Sequence, residues 1–209
     1  MKIKSTFFFI SLFFWSFALW AQQQKLENPQ EWISKIETQT KTVVSLQAKF
    51  EQQKVLSFLD GAVISQGEFW FLQPNKIRWE YQKPYYYTMI MNDGKLTVTD
   101  GGTRFTSDLS SNQMFEQMNS LITGSIKGDL LSDDKNYRKE YYQNEGHIII
   151  RFYPKDQQLS SYLDYMEIWF SKVNLNVKVM LMHEPSGDYT KMVFSDIKQN
   201  QNIKSDVFR

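Results

Sequence analysis

Few side chains in this chain are of a type and spacing that could do covalent chemistry. His147 and His183 are the only imidazoles. They fall on different strand-like stretches with no second histidine at ligand spacing, so no zinc site is expected and each suits a strand surface or rim. Gly124-Ser125-Ile126-Lys127-Gly128 places a serine between glycines. That serine is displaced from the G-x-S-x-G frame, and the stretch before it reads as helix rather than strand, so a nucleophile elbow does not form. Asp133 and Asp134 are adjacent in a polar turn, where solvation accounts for them. A glycosidase would need two acids facing each other across a cleft. No glycine-rich phosphate loop follows a strand. The expectation is a protein that is not an enzyme and holds neither metal nor cofactor.

The distinctive chemistry is apolar. Gly67-Glu68-Phe69-Trp70-Phe71-Leu72-Gln73-Pro74-Asn75-Lys76-Ile77-Arg78-Trp79-Glu80-Tyr81 reads as two aromatic strands around a Gln-Pro-Asn-Lys turn. Ile77, Trp79 and Tyr81 alternate with Arg78, Glu80 and Gln82, giving one apolar face and one wet face. Phe69 to Leu72 has no polar alternate, so both faces of that strand must be covered. Methionines pair at strand or helix spacing in Met89 with Met91, Met114 with Met118, and Met180 with Met182. An unbranched thioether adapts to irregular neighbours. Such a concave face either packs as a plain core or lines a slot for a flexible apolar guest, and composition alone leaves the two open.

These side chains must be placed by the surrounding elements. Asn28-Pro29 reads as a helix cap followed by a first-turn proline, opening a helix over about 29–42. From Val44 the period switches to two, with Leu46, Ala48 and Phe50 on one side and Gln47, Lys49 and Glu51 on the other. Turn signals recur at Asp60-Gly61, Asn92-Asp93-Gly94, Asp100-Gly101-Gly102, Asn144-Glu145-Gly146 and Pro185-Ser186-Gly187-Asp188. Strands of about 85–92, 95–100, 103–108, 137–143, 147–153, 164–171, 176–184 and 189–198 fit between them. Met114, Phe115, Met118, Leu121 and Ile122 share one helical face over about 112–123, with Ser111 placed to cap its start and Gly124 its end. Leu130 and Leu131 continue as a short helical turn. The expected fold is mainly β with a few helices (α+β). A single antiparallel sheet of roughly ten strands curls into an incomplete barrel, its apolar concave face lidded by the two main helices.

Lys2 and Lys4 precede an apolar run from Thr6 to Trp20, and Ala21 is followed by three glutamines. This is the pattern of a cleavable secretory signal with removal near Ala21, and the run is shorter than the roughly 20 residues of a membrane span. The expected domains are this signal over 1–21 and one domain over 22–209. The chain has 24 basic and 23 acidic residues; residues 1–21 hold two lysines and no acid, so the remainder carries −1. That balance excludes a basic stripe for nucleic acid or a polybasic membrane patch. No cysteine is present, which excludes both a disulfide framework and a lipid-modified cysteine behind the signal.

Ser45-Leu46-Gln47-Ala48-Lys49-Phe50-Glu51-Gln52, then the Gly67–Tyr81 segment, then Asn92-Asp93-Gly94-Lys95 follow in an order that resembles the periplasmic outer-membrane lipoprotein carriers, the LolA family. The resemblance covers the first half best; the second matches in its strand pattern down to Asp206-Val207-Phe208. It implies a helix-lidded half-barrel in the periplasm that takes acylated lipoproteins from an ATP-driven inner-membrane exporter to an outer-membrane acceptor, as a monomer. By position it implies a cavity lined by Phe50, Phe69, Phe71, Ile77, Trp79, Met89 and Met91, with lid contacts from Met114, Phe115, Met118, Leu121 and Ile122. The better-known carriers place an arginine immediately before the turn proline, where it helps gate the lid; here that position is Gln73. An amide there bonds without charge assistance, which fits either a lid held differently or a paralogue carrying a non-protein lipid or pigment. A lipoprotein-sensing regulator is a further alternative from the same half-barrel.

Overall fold

The computed structural model describes residues 23–111 and 113–209; the expected signal segment lies outside the described residues. The change of period that the sequence shows near Val44 is where helix gives way to sheet. A two-residue strand β1 (Gln24–Lys25) leads into α1 (Gln30–Lys41), and β2 (Ser45–Val55) begins four residues after that helix. A run of hairpins follows through β3 (Ala62–Leu72), β4 (Lys76–Lys83), β5 (Tyr87–Asn92), β6 (Lys95–Asp100) and β7 (Thr103–Asp108). Next come α2 (Gln113–Lys127) and α3 (Asp129–Ser132), and then a second run. This comprises β8 (Tyr137–Gln143), β9 (His147–Pro154), the short α4 (Gln157–Ser160), β10 (Tyr165–Ser171), β11 (Val177–His183) and β12 (Tyr189–Gln199), before a closing 3₁₀ turn (Ser205–Phe208).

Among the described residues, all twelve strands form one antiparallel sheet in the order β1-β8-β9-β10-β11-β12-β2-β3-β4-β5-β6-β7. Each run is a meander of sequential hairpins, and the two are joined where β12 pairs with β2. The order ends at β1 and β7 without closing, so the expected incomplete barrel is what forms. The strands anticipated from alternation are all present, and β1 accounts for an addition that two residues cannot announce.

Register fixes which residues share the concave face. Phe69 lies opposite both Ala48 and Trp79, and Phe71 opposite Leu46 and Ile77. On the far half, Ile150 lies opposite Ile168, which lies opposite Met180. These side chains merge with Ile33 and Ile36 of α1, Leu121 and Ile122 of α2, and Leu130 and Leu131 of α3 in one continuous core. The helices therefore lie across the concave face. On the convex side the C-terminal turn covers β4 and β5: Arg78 Nη1 donates to the Val207 carbonyl at 3.2 Å and Asn92 Nδ2 to that of Phe208 at 3.2 Å. With Phe208 buried, this supplies cover for the wet side of β4 and β5.

Gly67 is a residue the sheet cannot exchange. β3 carries a register shift between Gln66 and Gly67, and a Cβ at Gly67 would fall 1.9 Å from the Glu80 carbonyl oxygen and 2.8 Å from Phe50 Cζ. The missing side chain lets the β4 backbone and the Phe50 ring approach together.

The helix ends differ from expectation. Asn28 does not cap α1; it sits at φ 53°, and the first helical bond runs from Ile33 N–H to the Pro29 carbonyl at 3.0 Å. Gly124 does not end α2. It lies inside a helix that runs to Lys127, where a Cβ would meet Leu130 at an ordinary 3.7 Å, and the left-handed Gly128, φ 80°, ends the helix. Ser111 donates to the Asp108 carbonyl at 2.6 Å, closing the turn before α2.

Candidate functional site

The floor of the concave face is an aromatic cluster centred on Trp79. Its ring lies 4.3 Å from that of Phe69 and 5.2 Å from that of Phe50, which meets it edge-on. Phe194 of β12 closes the group at 6.2 Å from Trp79 and 6.3 Å from Phe69. Edge and tilted arrangements suit the ring quadrupoles. The cluster spans β2, β3, β4 and β12, so the central seam of the sheet carries it.

Between this floor and the helices runs a slot. Leu46, Ala48, Phe69 and Trp79 form its floor, Val43 its root, and Ile122 and Ile126 of α2 its roof. Val177, Met180, Phe194 and Ile197 form its far wall, with Leu175 beside them. Among the described residues no charged side chain lines it. Its polar members are largely turned back on the protein: Thr40 Oγ1 donates to the Ile36 carbonyl at 2.9 Å and Ser125 Oγ to that of Leu121 at 2.6 Å. At the end of the slot Gln39 Nε2 donates to Gln199 Oε1 at 3.4 Å. The surface inside is therefore hydrocarbon. The void is about 40 Å³, room for a water or so and far short of an alkyl chain.

The expected site residues divide. Phe69, Trp79 and Ile122 line the slot. Phe50, Phe71, Ile77 and Met91 share the concave face but are buried in the core beside the slot, as is Leu121 beneath α2. Met89, opposite Trp79, is half-buried against the same core. The side chains of Met114, Phe115 and Met118 lie outside the described residues. The far wall was not anticipated as site. Val177, Met180, Phe194 and Ile197 belong to strands that were, and the alternation in 176–184 and 189–198 was the available signal. Ile197 reaches the wall through a bulge between Ser195 and Lys198, which alternation does not show.

Gln73 joins the β3–β4 turn to the lid root. Its side-chain Nε2 donates to the Val43 carbonyl at 2.9 Å, and its backbone N–H to the Val44 carbonyl at 2.9 Å. Asn200 clamps the same junction from the other side, accepting from Val44 N–H at 2.9 Å and donating to the Thr42 carbonyl at 3.0 Å. Two neutral amides thus hold the point where α1 meets the sheet.

The groups that could do covalent chemistry are scattered. Ser125 spends its proton on its own helix. His147 lies opposite Ser171 and His183 opposite Tyr165, at the two ends of β10. Next to the slot, Tyr81 is held neutral: burial, with Tyr87 stacked at 4.2 Å, pushes its hydroxyl far above the usual range, and that hydroxyl donates to Gln52 Oε1 at 2.9 Å. What the arrangement can do is hold an apolar group away from water.

Known proteins share this frame. The family model for the outer membrane lipoprotein carrier protein LolA matches residues 41–209. An outer-membrane lipoprotein carrier protein of Nitrosomonas europaea is 23% identical over 182 residues, 85% of this chain and 83% of that protein. Its counterpart in Cupriavidus pinatubonensis is 25% identical over 175 residues, 80% and 77% of the two. A solved structure of an uncharacterized conserved protein from Thermus thermophilus matches with a TM-score of 0.50 at 11% identity, covering 86% of this chain and 92% of that one, a likeness of fold alone.

Proposed function

Because this chain belongs to the LolA family of outer membrane lipoprotein carriers, we propose that it shields the acyl chains of lipoproteins in the slot beneath α1 and α2. It works in the periplasm as a carrier rather than an enzyme. It accepts its cargo from an ATP-driven inner-membrane exporter and delivers it to an outer-membrane acceptor. The observation that carries this reading is the slot itself, an uncharged hydrocarbon surface between an aromatic floor and a helical roof. The need for shielding is quantitative. At about 0.8 kcal/mol per methylene, exposing a chain of about sixteen carbons to water costs on the order of 12 kcal/mol.

The void as it stands holds no such chain, so loading requires α1 and α2 to lift from the floor. Gln73 and Asn200 sit at the hinge of that movement. The residues proposed to meet the cargo are Phe69, Trp79 and Ile122 with the far-wall set Val177, Met180, Phe194 and Ile197. Phe50, Phe71, Ile77, Met89 and Met91 shape the floor from behind.

Mass spectrometry of protein purified from the periplasm tests this. Co-purifying acylated lipoprotein is the expected result. A glycolipid or pigment in its place supports a paralogous carrier, and the uncharged Gln73 is the feature that favours that reading. An empty protein that turns over esters would sink both.

A further inference from the structure

The open sheet has two edges, and they are unequal. β1 is two residues long, whereas β7 has six, all exposed except the half-buried Ser107. Among the described residues no strand pairs with the outer side of β7.

The hydrogen-bonding phase of β7 is fixed at both ends. Gly101 and Gly102, both at positive φ, form a two-residue turn that closes on the Asp100–Thr103 pair. Beyond the other end, Leu109 N–H donates to the Gly94 carbonyl at 2.8 Å. Thr103, Phe105 and Ser107 therefore bond to β6, and Arg104, Thr106 and Asp108 turn their backbone N–H and C=O groups outward. The Thr97 and Thr106 hydroxyls lie 3.1 Å apart, the closeness expected of a facing pair that exchanges no backbone bonds.

The outward residues, in the order Arg, Thr, Asp, are self-complementary. A second copy running antiparallel, with Thr106 opposite its own counterpart, sets each Arg104 opposite an Asp108 on the same face. Every outward backbone group then gains a partner. The Asp108 carbonyl already accepts from Ser111 Oγ at 2.6 Å and has a second lone pair to offer. A shift of register in either direction unpairs the charges. Charge of one sign on an edge strand prevents pairing; opposite charges placed symmetrically about Thr106 favour it.

The other face of the strand agrees. Trp79, Met89, Val98 and Phe105 lie opposite one another in turn across β4, β5, β6 and β7. Phe105 is thus on the concave side, where it is 63% exposed. In the pairing described, the two Phe105 rings become diagonal neighbours within aromatic reach.

We infer that β7 is an interface between two copies of this chain, paired antiparallel with Thr106 at the two-fold axis and Arg104–Asp108 pairs on either side. The contact is separate from the slot and does not rest on the carrier reading. One strand from each copy buries less than the roughly 1,200 Å² of a stable interface, so the association is weak and depends on concentration.

Sedimentation equilibrium of the purified protein over about 1–500 μM tests this. Wild type is expected to rise from the monomer mass toward twice that mass. Arg104→Asp sets like charges opposite each other on both sides of the axis and is expected to weaken association at least about tenfold. Adding Asp108→Arg restores opposite charges and is expected to recover association to within about threefold of wild type. Thr106→Pro removes an outward N–H that β6 does not use and is expected to abolish association. All three positions are exposed, so circular dichroism is expected to report the wild-type fold throughout. Wild type that keeps the monomer mass at every concentration, as it would if this edge receives an extended segment of another protein, overturns the inference. So does undiminished association of folded Arg104→Asp or Thr106→Pro protein, or a folded charge-swap protein that associates no better than Arg104→Asp.

Discussion

The side-chain amide of Gln73 donates a 2.9 Å hydrogen bond to the carbonyl of Val43, tying the turn between the two aromatic strands to the root of the lid helix. Val43 also lines the slot, so one bond connects floor, hinge and cavity. A neutral hydrogen bond of this kind contributes about 0.5–1.5 kcal/mol. In Gln73→Ala the melting temperature is expected to fall by about 2–5 °C, and a bound acyl probe to leave faster in stopped-flow measurement. Gln73→Arg is expected to slow release through a charge-assisted bond to the same carbonyl. Release rates unchanged in both variants would remove Gln73 from the gate.

The slot reading is tested from its two sides. Trp79 is buried among Phe50, Phe69 and Phe194, so Trp79→Ala is expected to cost about 3–5 kcal/mol of stability, and Trp79→Glu to abolish acyl-probe uptake. Ile126 is only half-buried on the roof, and Ile126→Glu is expected to fold while placing a carboxylate in a hydrocarbon space. Probe fluorescence titrations read both. Full uptake by a folded Ile126→Glu protein would show that cargo does not enter between α2 and the floor.

Gly67 and Gly146 make a matched pair for stability. A Cβ at Gly67 meets a carbonyl oxygen at 1.9 Å, and at Gly146 it meets nothing within 4 Å. Gly67→Ala must push β4 or Phe50 aside, at about 1–3 kcal/mol or more. Gly146→Ala is expected to stay within about 0.5 kcal/mol. Thermal melts of the two variants check this, and equal melting temperatures would disprove the close approach.

Acid should remove the stabilising contribution of Glu140 on the convex face. Hydrogen bonds to Glu140 from Tyr142 at 2.8 Å, Arg138 at 2.6 Å and Tyr153 at 3.0 Å hold its carboxyl down at about 2. A carboxyl depressed in the folded state binds fewer protons there than in the unfolded chain. Its contribution is therefore complete above the unfolded value near 4.5 and is lost as pH falls toward 2. Tyr142→Phe removes the largest contributor, so the Glu140 carboxyl is expected to titrate at higher pH by NMR. An unchanged titration would show that the tyrosine is not what holds it.

The features legible in the sequence are those whose physics is local. Alternation in Ile77, Trp79 and Tyr81 placed all three on the concave face, and turn chemistry placed the hairpins. Alternation assigns a face and not a depth, so it does not separate Trp79, on the slot floor, from Ile77, in the core beside it. The far wall depended on which strand neighbours β2. That neighbour is β12, distant in the chain and bulged at Ser195 and Lys198, and nothing local encodes either fact. Phe69 to Leu72 required cover on both faces; on the convex side the Arg78 guanidinium of β4 lies over the Trp70 ring, and Arg78 is itself held by the Val207 carbonyl of the C-terminal turn. Gly124 does not mark the helix end because a glycine can also sit within a helix, and the left-handed glycine that ends α2 is Gly128.

The pairing of β12 with β2 also orders events as the chain forms. The slot takes Phe69 and Trp79 from one meander and Met180 and Phe194 from the other, so neither meander alone owns a cavity. The contacts joining them close loops of well over a hundred residues, as in Phe50 with Phe194, and such contacts carry the largest entropic cost and form late. A chain emerging from its N-terminus presents the β2 edge unpaired until its last strand arrives. The slot therefore comes into being only once β12 has paired with β2, and a chain that has not yet supplied β12 has no slot in which to trap a lipid.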